Sequence, residues 1–318
     1  MIKTGIHIIP EMSAPEIVET AVAAEALGYD YCLVCDEGIM HDVYVCLGAI
    51  AEKTTRLKLG PVTNGYTRHP AVTAVALASL NELSGGRALA VLVAGGTLAL
   101  APMGLTREAP LGVMRDTLEI MRRLWSGETV TWEGSRHKLD SARLGIGKQN
   151  IPVWLGVRGP KMLAMAGELA DGVLLIAKSD LGPALEIVEA FSTGRNLERI
   201  YLDRIAYTPE MLAEAGISYI YAVMDAPDRM LTGMGLSETD IAALRQTMAV
   251  GGPAEAAKLI TPEMIKAFQI AGTPDECAQT LQNLVAQHKI DTFLLNVTSP
   301  GLAANIQLMR DIQSIIKQ

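Results

Sequence analysis

Residues 153 to 177 read VWLGVRGPKMLAMAGELADGVLLIA and contain a complete strand, turn, helix and second strand. VWLGV (153 to 157) is a short, continuous apolar run, the pattern of a strand buried on both faces. It passes directly into Arg158, Gly159, Pro160 and Lys161. Pro160 suits a first helical position, and KMLAMAGELA continues as a helix until DGVLLIA (171 to 177) starts a second apolar run. Strands of this kind alternating with helices build a parallel sheet.

The same alternation recurs along the chain. The strand candidates are 4 to 10 (TGIHIIP), 29 to 36 (YDYCLVCD), 57 to 63 (LKLGPVT), 88 to 96 (ALAVLVAGG), 153 to 157, 171 to 177, 217 to 225 (ISYIYAVMD) and 291 to 297 (DTFLLNV). Helices between them carry start and stop signals: Ser13 before Pro15 with Gly28 at the end, Pro70 with Gly85 and Gly86 at the end, and Thr273 with Glu276 at capping-box spacing. Eight such units predict a closed (β/α)8 TIM barrel spanning 1–318. The pattern loosens at about 127–152, which reads as an irregular insertion, and at about 195–265, where an extra strand-like RIYLDRIAY and polar helices intervene.

Totals narrow the function classes. The chain has 318 residues, 49% hydrophobic and 19% charged, enough to bury a large core, and carries 27 Lys and Arg against 35 Asp and Glu, a net charge of -8. That balance argues against a nucleic-acid surface and for a small-molecule partner. No long apolar run predicts a membrane span or a secretory signal, which places the protein in the cytoplasm. Cys32 and Cys35 form a C-x-x-C, but residues three apart on a strand point to opposite faces, so a redox or zinc role is not expected. The histidines lack metal-ligand spacing, and no metal site is predicted.

In a barrel of this kind the site forms where the strands end at their C-termini. The residues there are His7, Pro10, Asp36, Glu37, Thr63, Asn64, Ala94, Gly95, Gly96, Thr97, Arg158, Gly159, Pro160, Lys161 and Lys178. At 158 to 161 the chemistry allows two readings. A glycine that admits an anion, the unpaired N–H groups of a helix start and two cations can bind phosphate; the alternative is an ordinary turn with solvated cations. The paired glycines at 95 and 96 permit a flat ring to lie against the main chain, or simply make a tight turn. His7 reads as either a buried strand residue or an acid-base group.

In order, the stretches GPVTNGYTRHPAVTA, LNELSGGRA, VWLGVRGPKMLAMAGELADGVLL and FQIAGTPDECAQTL resemble the bacterial-luciferase-like superfamily of flavin and deazaflavin oxidoreductases, over nearly the whole chain. RGPKM and TNGYTRHP lean toward the methylenetetrahydromethanopterin reductase branch, which uses the deazaflavin coenzyme F420. The resemblance implies a TIM barrel, usually a dimer or a dimer of dimers, with cofactor at the C-terminal mouth. Gly156, Val157, Arg158, Gly159, Pro160, Lys161 and Met162 would hold its phosphate and tail. Pro61, Val62, Thr63 and Asn64 would form a bulge against the ring, with a cis peptide before Val62, while Ala94 to Thr97 would line the ring.

The activity implied is hydride transfer between the deazaflavin and a small organic substrate, a methylene-tetrahydropterin on this branch. The alternatives are an FMN-dependent reductase or monooxygenase and a non-catalytic flavin-binding protein. The chain departs from the reductase pattern: His7 stands where the reductases carry a glutamate, Asp36-Glu37 where they carry an Asp-His pair, GPVTNGY where they tend to a fuller GPGVTNP, and Gly96 where they tend to an acidic residue. The first two departures read as an exchange, predicting a hydrogen bond between His7 and Glu37 that raises the histidine pKa and supplies an acid-base pair.

Overall fold

The computed structural model describes residues 2–224, 226–297 and 301–317. Its elements, in chain order, are β1 (Lys3–Ile8), α1 (Ala14–Leu27), β2 (Tyr31–Cys35), α2 (Val43–Lys53), β3 (Lys58–Thr63), α3 (Pro70–Leu83), β4 (Ala90–Val93), the short α4 (Thr97–Leu100) and α5 (Pro110–Trp125). There follow β5 (Thr129–Glu133), β6 (Lys138–Arg143), β7 (Val153–Gly156), α6 (Pro160–Leu169), β8 (Gly172–Leu175), α7 (Leu181–Phe191) and β9 (Glu198–Asp203). The chain ends with α8 (Pro209–Met224), α9 (Asp228–Gly233), α10 (Glu238–Ala257), α11 (Pro262–Phe268), α12 (Pro274–His288), β10 (Thr292–Val297) and α13 (Leu302–Ile316).

Eight strands close a parallel barrel in the order β1, β10, β9, β8, β7, β4, β3, β2. This is the (β/α)8 architecture, and the helix signals lie where they act. Ser13 and Glu16 form a capping box on α1, Gly28 ends it with φ 89°, and Thr273 and Glu276 form a second capping box on α12. Within each strand the side chains alternate. Tyr31, Leu33 and Cys35 join Val62, Val91, Trp154, Leu174, Ile200 and Leu294 inside the barrel, while Cys32 and Val34 pack outward under the helices. The two halves of the C-x-x-C therefore lie on opposite faces, and both are free thiols.

One strand assignment is corrected. The barrel takes β9, inside the RIYLDRIAY stretch that reads as an extra strand, and the 217–225 run belongs mostly to α8; Asp225 lies outside the described residues. The cause is that a continuous apolar run has no distinguishing period. Here Tyr219, Ile220 and Val223 are buried at helical spacing in a satellite core shared with α9 and α10. The 127–152 segment also has more order than its sequence suggests: β5 and β6 pair as an antiparallel hairpin with Trp132 and Leu139 against the main core.

The second correction concerns residues 60 to 64. They form no bulge: β2 and β3 pair without a break from Tyr31 opposite Lys58 to Cys35 opposite Val62, and no cis peptide occurs among the described residues. The Gly60-Pro61 pair has another cause. Leu59 exchanges both main-chain bonds with the β4 side, through Arg87 O and Leu89 N, each at 3.0 Å. Two residues on, Pro61 has no N–H to give. Next to it Gly60 meets the Leu89 carbonyl so closely that a Cβ would stand 1.9 Å from its oxygen. Gly60→Ala should therefore overpack the β3 to β4 contact and destabilise the fold by about 3 kcal/mol, near the upper end for such insertions, read as a lower urea midpoint.

Candidate active site

At the C-terminal end of the barrel the strands and loops enclose a cavity of about 430 Å³, within the range of small-molecule sites. Its floor is the last inward layer of the strands: His7, Cys35, Val62, Val93, Gly156, Leu174 and Leu202. The walls come from loops, with Asp36, Glu37 and Asn64 on one side, Ala94, Gly95, Gly96, Ala99 and Arg107 on another, and Val157, Arg158, Gly159, Met162 and Ile176 opposite. Ala226 and Pro227, between α8 and α9, complete the rim.

A row of polar side chains crosses this floor from β10 to β2. The Asn296 Oδ1 lies 3.0 Å from His7 Nδ1, and His7 Nε2 lies 2.9 Å from the Cys35 Sγ. With the amide oxygen as acceptor, Nδ1 carries the proton, and Nε2 is left to accept from the thiol. The register accounts for the row. On β1, His7 stands opposite Asn296 of β10 and Leu33 of β2, so the next inward residue of β2 is Cys35. Glu37 lies a further two residues along, at the mouth.

No hydrogen bond joins His7 to Glu37 among the described residues, which corrects the expected pair: comparable positions in sequence are not comparable heights in the barrel. Burial also pushes the His7 imidazole below its ordinary value, with the Asn296 bond opposing, so the pKa shift is the reverse of the expected one. Burial pushes the Glu37 carboxyl up, the Asp36 and Glu11 charges add to it, and the nearby Cys35 thiol works against them. The Cys35 thiol is pushed well up by burial and by the carboxylates of Glu37 and Asp36.

The neighbouring groups are held in place. Asp36 Oδ2 accepts from the Thr63 hydroxyl at 2.9 Å and the Thr67 hydroxyl at 3.3 Å, and the Asn64 side chain accepts from the Tyr66 and Thr67 N–H groups. On the opposite wall, Gly159 is the N-cap of α6 in extended conformation, with no side chain closing the helix start, so the first-turn N–H groups remain for a ligand. Arg158 Nη1 donates to the Ala222 carbonyl at 2.8 Å, and the Arg158 carbonyl accepts from Arg229. Arg229 in turn clasps Asp180 through two bonds of 2.6 and 2.8 Å.

Several candidate residues stand off the cavity lining. Pro61 and Thr63 are buried behind it, Thr63 serving to hold Asp36, and Pro160 and Lys161 are exposed on α6. Lys178 is half-buried behind the β8 end; burial lowers its ammonium pKa while Asp203 opposes. The side chain of Thr97 lies outside the described residues. Conversely, the sequence reading passed over Cys35, Asn296 and Arg107. The first two had a signal, a thiol at inward parity with Tyr31 and Leu33 and a lone amide in the apolar run TFLLNV; Arg107, whose Nη1 reaches the Gly95 carbonyl at 3.1 Å, had none.

Residues 2–288 match the luciferase-like monooxygenase family. The chain is similar to 5,10-methylenetetrahydromethanopterin reductase of Archaeoglobus fulgidus, 36% identical over 322 positions that cover 96% of this chain and 97% of that protein. The same enzyme of Methanolobus tindarius is 32% identical over 88% of this chain and 90% of its own. Among solved structures, the coenzyme F420 dependent tetrahydromethanopterin reductase from Methanopyrus kandleri superposes with a TM-score of 0.87 at 26% identity, covering 99% of this chain and 98% of that one.

The His7 environment has a measurable signature. An unfolded histidine takes up its proton near its ordinary value of 6.5, whereas the buried His7 takes it up only at lower pH. The native state thus binds fewer protons, and its stability falls as pH drops below about 6.5. Urea unfolding from pH 7.5 to 5 should show a steeper loss for the wild type than for His7→Gln, by at most about 1.4 kcal/mol per pH unit, the slope of one proton. Equal slopes would mean that the imidazole is not held neutral.

Proposed function

The chain belongs to the luciferase-like monooxygenase family, and we propose that within it this protein is a coenzyme F420-dependent oxidoreductase that reduces a methylene-tetrahydropterin, the reaction of the methylenetetrahydromethanopterin reductases. The observation that carries the reading is identity of 36% to such a reductase across the length of both chains. The cavity fits the cofactor. Bare α6 N–H groups, Gly159 and the Arg158 guanidinium provide an anion subsite, where open space surrounds Gly159 on the side a Cβ would occupy. Next to it, Val62, Val93, Leu174 and Ile176 offer an apolar bed for a flat ring, with Ala94, Gly95 and Gly96 presenting main chain.

When bound, coenzyme F420 supplies a hydride, a two-electron donor to carbon. The chain supplies position, dryness and a proton. A methylene bridge between two nitrogens opens only when one nitrogen accepts a proton, so the reduction needs an acid at the site. Glu37 has that property: it lines the cavity, and burial with the Asp36 and Glu11 charges favours its protonated form. His7, neutral and with both ring nitrogens engaged, shapes the floor beneath it. The same site carries the cofactor-binding roles of Asp36 and Asn64, which fix the β2 and β3 ends. A second copy of the chain completes the proposal, placed against α2 and α3, where Val45 is 71% and Val72 50% exposed.

Two measurements test the reading. Titration of the protein with coenzyme F420 and with FMN should give micromolar binding for the deazaflavin and weaker binding for FMN, and Arg158→Ala should lose about 1 to 3 kcal/mol of the deazaflavin affinity while Lys161→Ala loses less. With methylene-tetrahydropterin as substrate, turnover should fall as pH rises through the Glu37 titration, because the acid form is consumed. Glu37→Gln should remove that limb and lower turnover on the order of a hundredfold. Preference for FMN, or turnover unchanged in Glu37→Gln, overturns the proposal.

A further inference from the structure

The β5–β6 hairpin stands outside the barrel, and its tip, residues 134–137, is seated on both α5 and the loop that follows β3. The Gly134 N–H closes the tip on the His137 carbonyl at 3.0 Å. On the α5 side, the Ser135 N–H donates to Asp116 Oδ2 at 2.5 Å, and a Cβ at Gly112 would stand 2.2 Å from Ser135 Oγ. On the loop side, His137 is 6% exposed and its Nε2 lies 2.7 Å from the Gly65 carbonyl oxygen. A carbonyl only accepts, so Nε2 carries the proton and donates it. We infer that His137 is a positioning residue for the cavity, which it does not itself line: the imidazole fixes the 64–67 loop through the Gly65 carbonyl and, through Tyr66, the 94–108 wall.

The path inward runs through short contacts. Gly65 is confined between the tip and α5, since a Cβ there would stand 2.3 Å from Thr117 Oγ1 and 2.8 Å from Val113 Cγ1. Its neighbour Asn64 lines the cavity, and Asn64 Oδ1 accepts from the N–H groups of Tyr66 at 2.8 Å and Thr67 at 3.0 Å, which makes the loop one turn. The Arg136 guanidinium of the tip lies 5.4 Å from the Tyr66 ring centre, and the Tyr66 hydroxyl donates to the Glu108 carbonyl at 2.7 Å. Arg107, next to Glu108, lines the cavity and holds the Gly95 carbonyl at 3.1 Å. Leu100 packs with Tyr66 and Val113 in a small satellite core, so this wall rests on the same ring. The His69 ring, whose Nδ1 caps α3 at Ala71 N–H, meets the His137 ring edge to face at 5.1 Å. A phenyl ring at 137 would keep this packing and strand the Gly65 carbonyl without a donor, whereas a glutamine amide would keep the donor.

The inference deepens the proposed cofactor site and rests on that reading for its catalytic meaning, yet its main test needs neither cofactor nor substrate. Amide hydrogen exchange of the cofactor-free protein reads the loop at Tyr66 and Thr67, bonded to Asn64, and the wall at Leu100 and Leu105, bonded to the carbonyls of Gly96 and Leu100. His137→Phe should speed exchange roughly tenfold at all four, the size of one buried carbonyl left without a donor, while Val91 and Leu92 of β4 keep their rates; His137→Gln should return all four to the wild-type rates. Tyr66→Phe, which removes only the bond to Glu108, should speed Leu100 and Leu105 alone. Unchanged rates at Tyr66 and Thr67 in His137→Phe, or a His137→Gln protein that behaves like His137→Phe, overturns the inference. If His137→Phe does not fold, the wild type decides: NMR should show a slowly exchanging His137 Nε2 proton with a coupling across the hydrogen bond to the Gly65 carbonyl carbon, and its absence counts against the assignment in the same way. Coenzyme F420 affinity should fall roughly tenfold in His137→Phe and recover in His137→Gln. A wild type that binds no coenzyme F420 sinks the proposed function, and the exchange rates still decide the positioning.

Discussion

Closing eight parallel strands into one barrel fixes the height of every inward side chain relative to its neighbours, and the site depends on that constraint. Register between β1 and its two neighbours places His7 level with Asn296 on one side and Leu33 on the other. Because inward residues recur every second position, the thiol of Cys35 is the group on β2 that comes within reach, and the next such residue belongs to the mouth. A slip of one residue between β1 and β2 would send Cys35 to the outer layer and bring an apolar Val34 inward. The lower layers make the slip costly. Tyr31 packs on Trp154 with ring centroids 5.0 Å apart, and Gly5 lies so close to Tyr31 that a Cβ would stand 2.6 Å from its own.

Outside the barrel, a few buried polar groups hold the long 204–270 segment over the mouth. Asp203, at the end of β9, accepts from the Tyr201 hydroxyl and from the N–H groups of Arg204, Ile205 and Ile270, so one carboxylate ties the strand end to the chain entering α12. Asp180 and Arg229 make the second tie, and Arg229 extends it to the carbonyl of Arg158 in the anion turn. An ion pair of this kind contributes little net stability, but breaking it strands the buried Asp180 charge, so it acts through geometry. The two ties deliver Ala226 and Pro227 to the rim of the cavity. A second set of donors closes helix ends: Arg87 reaches the carbonyls of Ala51, Thr54, Leu57 and Ser84, which gives the LNELSGGRA stretch its structural meaning.

How much was legible in the sequence follows from which physics is local. Continuous apolar runs, capping boxes at Ser13 and Thr273 and the αL glycine at 28 depend on neighbours within a turn or a strand, and these placed most of the barrel correctly. The seventh strand was misplaced because ISYIYAVM is apolar all round, and only its packing against α9 and α10 selects a helix. At the site, the wall residues of the β7 to α6 turn follow from topology. What does not follow is inter-strand height, and so His7 and Glu37 looked adjacent when Cys35 stands between them. The Gly60-Pro61 pair misled in the same way: its cause is the close approach of Leu89, just before β4, not a local kink.

Depth in the barrel also gives His7 and Glu37 different surroundings. At position 7 a side chain is walled by β10 and β2 and is 6% exposed, a place where a carboxylate would be costly to ionise and where a neutral imidazole with two partners is satisfied. At position 37 the side chain is only partly buried, near enough to solvent to regain a proton and deep enough to hold it. A glutamate at the floor and a histidine at the mouth would have to solve the opposite problem, taking up protons in the dry layer. With the imidazole on the floor and the carboxyl at the mouth, the Asn296, His7 and Cys35 row is fixed in the dry layer, while Glu37 stands where solvent reaches it.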